Sequence, residues 1–93
     1  MDQTDQITLV WPTDYGEETT SVYAQIESIS RQEFFAAAET GLKPSAKAVV
    51  WEDEYDGQPE ARIGGKAFSI YRTYSVPSTG RVELYLTEKV GIR

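Results

Sequence analysis

Ile29-Ser30-Arg31-Gln32-Glu33-Phe34-Phe35-Ala36-Ala37-Ala38-Glu39-Thr40-Gly41-Leu42-Lys43-Pro44 is the one stretch of this chain with both ends of a helix written into it. Ser30 followed three residues later by Glu33 has the pattern of a capping box, in which the serine hydroxyl accepts the N–H of residue 33 and the glutamate carboxylate returns to the N–H of Ser30. Ile29 and Phe34 take the staple positions on either side of that cap. Phe34 to Ala38 propagate the helix, and Gly41 supplies the left-handed C′ residue that a side chain would disfavour. Leu42 then falls at C″, facing Ala37, and Pro44 forbids continuation. The expected helix covers about residues 30–41.

Outward from this segment the chain reads as strands and turns. Ile7, Leu9 and Trp11 alternate with Thr8 and Val10, the pattern of a half-buried strand, which Pro12 should close. From Pro12 to Thr20 the sequence suggests a polar, acidic loop whose like charges keep it solvated, with Tyr15 its only anchor. Alternation resumes at Ser21–Ser28, where Val22, Ala24 and Ile26 share a face, and this strand feeds the helix. Ala46–Tyr55 is rich in β-formers, with apolar residues on both faces near its start. Asp56-Gly57 and Gly64-Gly65 read as type I′ hairpin turns, and Pro77-Ser78-Thr79-Gly80 as a third turn. Lys66–Tyr74 carries Phe68 and Ile70 inward. Arg81–Thr87 alternates with Val82, Leu84 and Leu86 inward and Arg81, Glu83 and Tyr85 outward.

These elements imply a mainly β protein: a small antiparallel β-barrel of about six strands with one inserted α-helix. The helix is expected as the one long crossover, plugging an open end of the barrel so that Phe34 or Phe35 enters the core.

The chain has 93 residues, of which 40% are hydrophobic, enough for one modest core, so residues 1–93 form a single domain with 1–6 a flexible N-terminus. It contains no cysteine, which excludes disulfides and thiolate metal sites. No apolar run approaches the ~18 residues of a membrane span, and the start of the chain is acidic, so a soluble protein with no membrane contact is expected.

Net charge is −6, and its placement is uneven. Asp2, Asp5, Asp14, Glu17, Glu18 and Glu27 face no lysine or arginine in residues 1–30, whereas residues 31–93 balance nine acids with nine bases. An acidic first third argues against charge-driven binding of nucleic acid, which depends on cations displacing counterions from phosphates.

Catalytic chemistry has little to work with. Histidine and cysteine are both absent, leaving only carboxylates, serine, lysine or tyrosine for acid, base or nucleophile. Residues 52, 54, 56 and 57 imitate positions 1, 3, 5 and 6 of an EF-hand loop, but Ile63 stands where the bidentate glutamate belongs and no helices flank the run. Gly64-Gly65-Lys66 lacks the spacing and following helix of a phosphate-binding loop. Tyr71, Tyr74 and Tyr85 among Arg72 and Arg81 outline a single-strand nucleic-acid platform, against which aromatic cross-strand pairing is the simpler reading. The residues therefore point to a non-enzymatic binding or assembly domain with no catalytic residue, metal or cofactor.

The order of motifs carries a further likeness. Ile7-Thr8-Leu9 with Pro12, Asp14-Tyr15-Gly16, Val22-Tyr23-Ala24-Gln25-Ile26, Ser30-Arg31-Gln32-Glu33-Phe34-Phe35, Gly41-Leu42-Lys43-Pro44, Tyr55-Asp56-Gly57, the run Gly65 to Arg72 and Val82-Glu83-Leu84-Tyr85-Leu86 together resemble the head-tail joining proteins of tailed bacteriophages, the head-closure or stopper proteins. The resemblance spans Ile7 to Glu88. It implies a small β-barrel with an inserted helix, monomeric when alone and assembled in the virion as a ring of about twelve subunits below the portal and adaptor and against a tail-completion protein, with DNA passing through without sequence-specific binding. Such a protein resides in the virion connector and, during assembly, in the host cytoplasm.

By position in that family, Asp14, Tyr15, Gly16, Glu17 and Glu18 are the channel-loop candidates. Arg31, Gln32 and Glu39, on the exposed side of the helix, are the candidate contacts with ring neighbours. The chain departs from the family pattern in its acidic Met1–Gln6 and its short first loop. A related tail-completion protein, or a free-standing barrel that binds a peptide or polysaccharide, are the alternative readings.

Overall fold

The computed structural model describes residues 3–89. In chain order these form β1 (Gln3–Thr13), β2 (Gly16–Glu27), α1 (Arg31–Ala38), β3 (Pro44–Trp51), a 3-10 turn at Glu52–Glu54, β4 (Glu60–Ile63), β5 (Lys66–Val76) and β6 (Arg81–Glu88). All six strand pairings are antiparallel and close on themselves in the order β1-β2-β3-β6-β5-β4. Closure leaves no unpaired edge within the ring, which protects so small a sheet from pairing with other chains.

The barrel interior is filled by the residues that alternation marks. Ile7, Leu9, Val22, Ala24, Ala48, Val50, Ala61, Val82, Leu84 and Leu86 form one buried cluster, with Phe68 and Ile70 packed against it. Alanine at 24, 48 and 61, on three different strands, leaves room for Ile7, Leu9, Leu84 and Leu86 in a narrow lumen. Each of those larger side chains contributes on the order of 1.5–3 kcal/mol by its burial. Two hairpins follow the turn chemistry of the sequence. Gly64 and Gly65, at φ +58° and +83°, supply the two positive φ values of a type I′ turn joining Ile63 to Lys66. Residues 77–80 join Val76 to Arg81.

Several expectations need correction. The polar loop at Pro12–Thr20 is instead the tip of a long hairpin, with Thr13 paired to Gly16 and only Asp14 and Tyr15 in the turn. Pro12 remains in the strand because both strands there are edges, where a missing N–H is tolerated. Asp56-Gly57 is not a hairpin: β3 and β4 are not neighbours, and only Gly57 has positive φ. The segment after β3 is the fold's true crossover, since α1 merely links β2 to β3, which pair directly from Gln25↔Val49 to Glu27↔Lys47.

Last, α1 does not plug the barrel. No helical residue belongs to the core cluster; Ala37 is buried, while Phe34 and Phe35 are exposed by 44% and 59%. The helix ends as its sequence directs, with the N–H groups of Gly41 and Leu42 bonded to Ala38 O and Ala37 O at 3.0 and 3.2 Å and Gly41 at φ +87°. At its start Ser30 Oγ accepts the N–H of Glu33 at 3.1 Å, but the Glu33 carboxylate reaches the barrel wall instead of returning to Ser30. Residues 3–6, expected as a flexible N-terminus, open β1 opposite Tyr23 to Ile26, while Met1 and Asp2 lie outside the described residues.

Candidate functional site

Two surface features stand out from the barrel: a hairpin arm and the helix with its latch. β1 is held by β4 only at Thr8, Leu9 and Val10. Beyond that point β1 and β2 pair only with each other, and every residue from Trp11 to Thr20 is exposed. The arm turns at Asp14 and Tyr15, where Thr13 Oγ1 accepts the N–H of Tyr15 at 3.2 Å, and the positive φ falls on Gly16, at +134°. Tyr15, expected as an anchor, is 99% exposed.

The five channel-loop candidates thus share one hairpin tip but differ in state. Glu17 is clasped by both terminal nitrogens of Arg62 on β4, and that hydrogen-bonded pair lowers the Glu17 pKa and raises that of Arg62. Arg62 also meets buried Glu60, whose other oxygen takes Lys89 Nζ at 2.8 Å. Asp14 and Glu18 form no ion pair among the described residues and keep the arm acidic. Glu18 stands opposite Trp11, which faces a shallow pocket with Glu18, Thr20, Asp56 and Gln58. The floor of this pocket is fixed, as buried Gln58 accepts the N–H of Asp56 at 2.8 Å and its carbonyl accepts Tyr55 OH at 2.7 Å.

On the opposite flank, α1 is latched to the outer barrel wall by charge. A bulge in β5 between Ile70 and Arg72 turns the consecutive Tyr71 and Arg72 to the same side, where both lie against the ring of Tyr85 on β6. Glu33 takes the Tyr71 hydroxyl on one oxygen at 2.8 Å and Arg72 on the other. The Arg72 hydrogen bond, opposed by burial and aided by Tyr71, lowers the Glu33 pKa. Burial first, then the Glu33 hydrogen bond, raise that of Tyr71.

The network continues under the helix. Tyr85 donates to Glu83 at 2.7 Å, and Lys47 bridges Glu83 and Glu27 at 3.4 and 3.5 Å. Burial also raises the Tyr85 pKa, with the Glu83 bond adding to it. Lys47 is pulled down by its own burial, yet Tyr85 and its two glutamates leave its pKa above the ordinary value.

Most of the aromatic platform of the sequence resolves into packing: Tyr71 and Tyr85 sit at 6.3 Å between centroids, Arg72 covers Tyr85 at 4.2 Å and Arg81 covers Trp51 at 4.0 Å, while Tyr74 is exposed. Arg31, Gln32 and Glu39, the interface candidates, are all exposed and stand apart from the arm. Sequence reasoning missed Trp11 as a surface residue and the Glu33-Tyr71-Arg72 latch. An early tryptophan next to a strand-ending proline was a usable signal for the first; nothing local marks the second. Among the described residues no group of three or more acidic side chains could hold a metal ion, and no helix is long and apolar enough to cross a membrane. These surfaces offer contact and charge.

Compared with protein-family models, curated proteins and solved structures, the chain matches none of them.

Proposed function

We propose that this protein is a structural ring component at the head-tail junction of a tailed phage or prophage, closing the DNA-filled head below the portal and adaptor and receiving the tail. The reading begins from the series of motifs between Ile7 and Glu88. The observation that carries it furthest is the arm, a two-stranded projection that adds nothing to the core yet is held by the Arg62–Glu17 clasp. A small barrel needs no such arm for its own stability; a subunit that must reach into a channel does. Asp14, at the tip of the arm, would keep the phosphate backbone of passing DNA from adhering.

Exposed Trp11, Tyr23, Phe34, Phe35, Trp51 and Tyr74 support an assembly role, since neighbours in a ring would cover such side chains. The test is reconstitution with portal and adaptor, followed by light scattering and negative-stain microscopy. Added density below the adaptor is the expected result, and a chain that stays free under assembly conditions would refute the reading.

A further inference from the structure

The helix turns the wrong face to solvent. Arg31, Phe34, Phe35 and Ala38 fall at i, i+3, i+4 and i+7, one stripe of the helix, and all four are exposed. Phe34 and Phe35 meet edge to face at 5.9 Å and form an apolar ridge. Glu33 and Ala37 occupy the side toward the barrel. A surface helix normally places its apolar stripe inward, so this ridge is arranged for a partner.

Charge identifies the partner. Among the described residues Lys47, Arg62, Lys66, Arg72 and Lys89 are in ion pairs and Arg81 lies over Trp51. Among the same described residues Arg31 and Lys43, at the two ends of the helical segment, have no such partner. Of the acids outside these ion pairs, Glu39 lies at the C-terminal end of the helix and Asp5 on β1, while the others lie on the arm and the crossover; two of these, Glu18 and Asp56, line a pocket of ≈ 220 Å³ together with Trp11. At its Arg31 end the helix surface is aromatic and cationic; the pocket is aromatic and acidic. They stand toward opposite ends of β2, from Thr20 to Glu27 roughly 23 Å apart, so one molecule does not satisfy both within itself.

We infer that the occupant of the helix ridge is a second copy of this chain, docked head to tail. Arg31 of one molecule enters the pocket of the next, its guanidinium over the Trp11 ring and between Glu18 and Asp56, while Phe34 and Phe35 cover the rim. Arginine suits this place because its flat cation stacks on an indole and its fork of N–H groups serves two carboxylates. Because the two surfaces differ, the contact repeats from copy to copy and builds a ring or a filament rather than a closed dimer. The inference deepens the assembly reading by naming the subunit contact, but it is tested on the isolated chain.

Sedimentation of the purified protein over a range of concentrations should show reversible self-association that weakens with added salt. Arg31→Glu should raise the dissociation constant roughly tenfold or more, and so should the pair Glu18→Arg with Asp56→Arg. An equimolar mixture of the two variants should associate again, since each helix then meets a pocket of opposite charge. Circular dichroism of each variant checks that these exposed substitutions leave the barrel folded. No self-association up to about 1 mM overturns the inference. So does association indifferent to the substitutions, or weakening without recovery in the mixture. A chain that self-associates in this manner but ignores portal and adaptor would end the junction reading and leave this contact standing. Joining the portal while failing the mixture experiment would do the reverse.

Discussion

The Glu33 carboxylate on α1 accepts the phenol hydrogen of Tyr71 on β5 at 2.8 Å, across 38 residues of sequence. With Arg72 on its second oxygen, this one side chain substitutes for the hydrophobic face by which a helix usually holds to its domain. It also explains why the capping box is one-sided: a carboxylate latched to the barrel does not return to the N–H of Ser30. The latch exists because the β5 bulge puts Tyr71 and Arg72 side by side on the outer wall.

Removing the latch should loosen the helix and spare the barrel. Glu33→Ala should lower stability in urea by about 1–3 kcal/mol, toward the lower end because Arg72 is partly open to solvent. Tyr71→Phe should cost about 1 kcal/mol and Arg31→Ala within about 0.5 kcal/mol. Amide exchange at Phe34 and Ala37 should accelerate far more than at Leu9 or Leu84 in the Glu33 variant. Equal acceleration at both places would mean that the helix and barrel open as one unit.

The latch should also titrate. Glu33 is lowered from an ordinary 4.5 in the folded chain, so its contribution is complete above that value and is lost as pH falls through its lowered one. At the alkaline end the sign is opposite in origin. Tyr71 and Tyr85 are raised from an ordinary 10.0, so above that pH the unfolded chain ionises first and stability falls. Urea midpoints across pH should therefore decline in both directions from a neutral plateau, and Glu33→Gln should flatten the acid side and, by removing part of what raises Tyr71, also soften the alkaline side. An unchanged acid slope in that variant would show that other carboxylates govern it.

How much of this was legible follows from whether the signal is local. Alternation in Val82-Glu83-Leu84-Tyr85-Leu86 and the Gly64-Gly65 turn are short-range signals, and both elements fold as they read. Gly41 stops the helix for the same reason. Pro12 misled because proline demotes a central strand yet is harmless where two strands run on as a free ribbon. Asp56-Gly57 misled because one glycine at positive φ serves a crossover as well as a hairpin. Phe34 and Phe35 misled most: two aromatics in a helix imply a buried face only if the helix relies on that face, and here Glu33 holds it instead. Tyr85 points outward as its parity demands and is buried all the same, under Arg72 and the neighbouring helix.

That difference can be measured by substitution. Leu84, fully buried in the lumen, should cost about 2–5 kcal/mol when cut to alanine, a large share of the total for a domain of this size. Phe34→Ser and Phe35→Ser, despite removing larger side chains, should each cost less than that, about 1–2 kcal/mol, because roughly half of each residue is already in water. Urea or thermal unfolding followed by tryptophan emission gives the comparison. A loss at Phe35 matching that at Leu84 would place the ring in a core after all.

The arm can be separated from the barrel by the same logic. Replacing Pro12–Glu17 with Asn-Gly joins Trp11 to Glu18 through a type I′ turn and removes six residues, all exposed and none in the core cluster. The shortened chain should unfold at nearly the same urea midpoint with nearly the same m-value, because the surface exposed on unfolding hardly changes. Amide protection at Ile7, Leu9 and Val22 should persist. The Arg62–Glu17 clasp is lost, but Arg62 keeps Glu60 as partner. If the arm faces a channel, phage heads filled with DNA and closed by the shortened protein should leak that DNA, although the ring still assembles. Full retention with the arm gone would reject gating by the arm, and collapse of the barrel would show that the hairpin is part of the fold's own support.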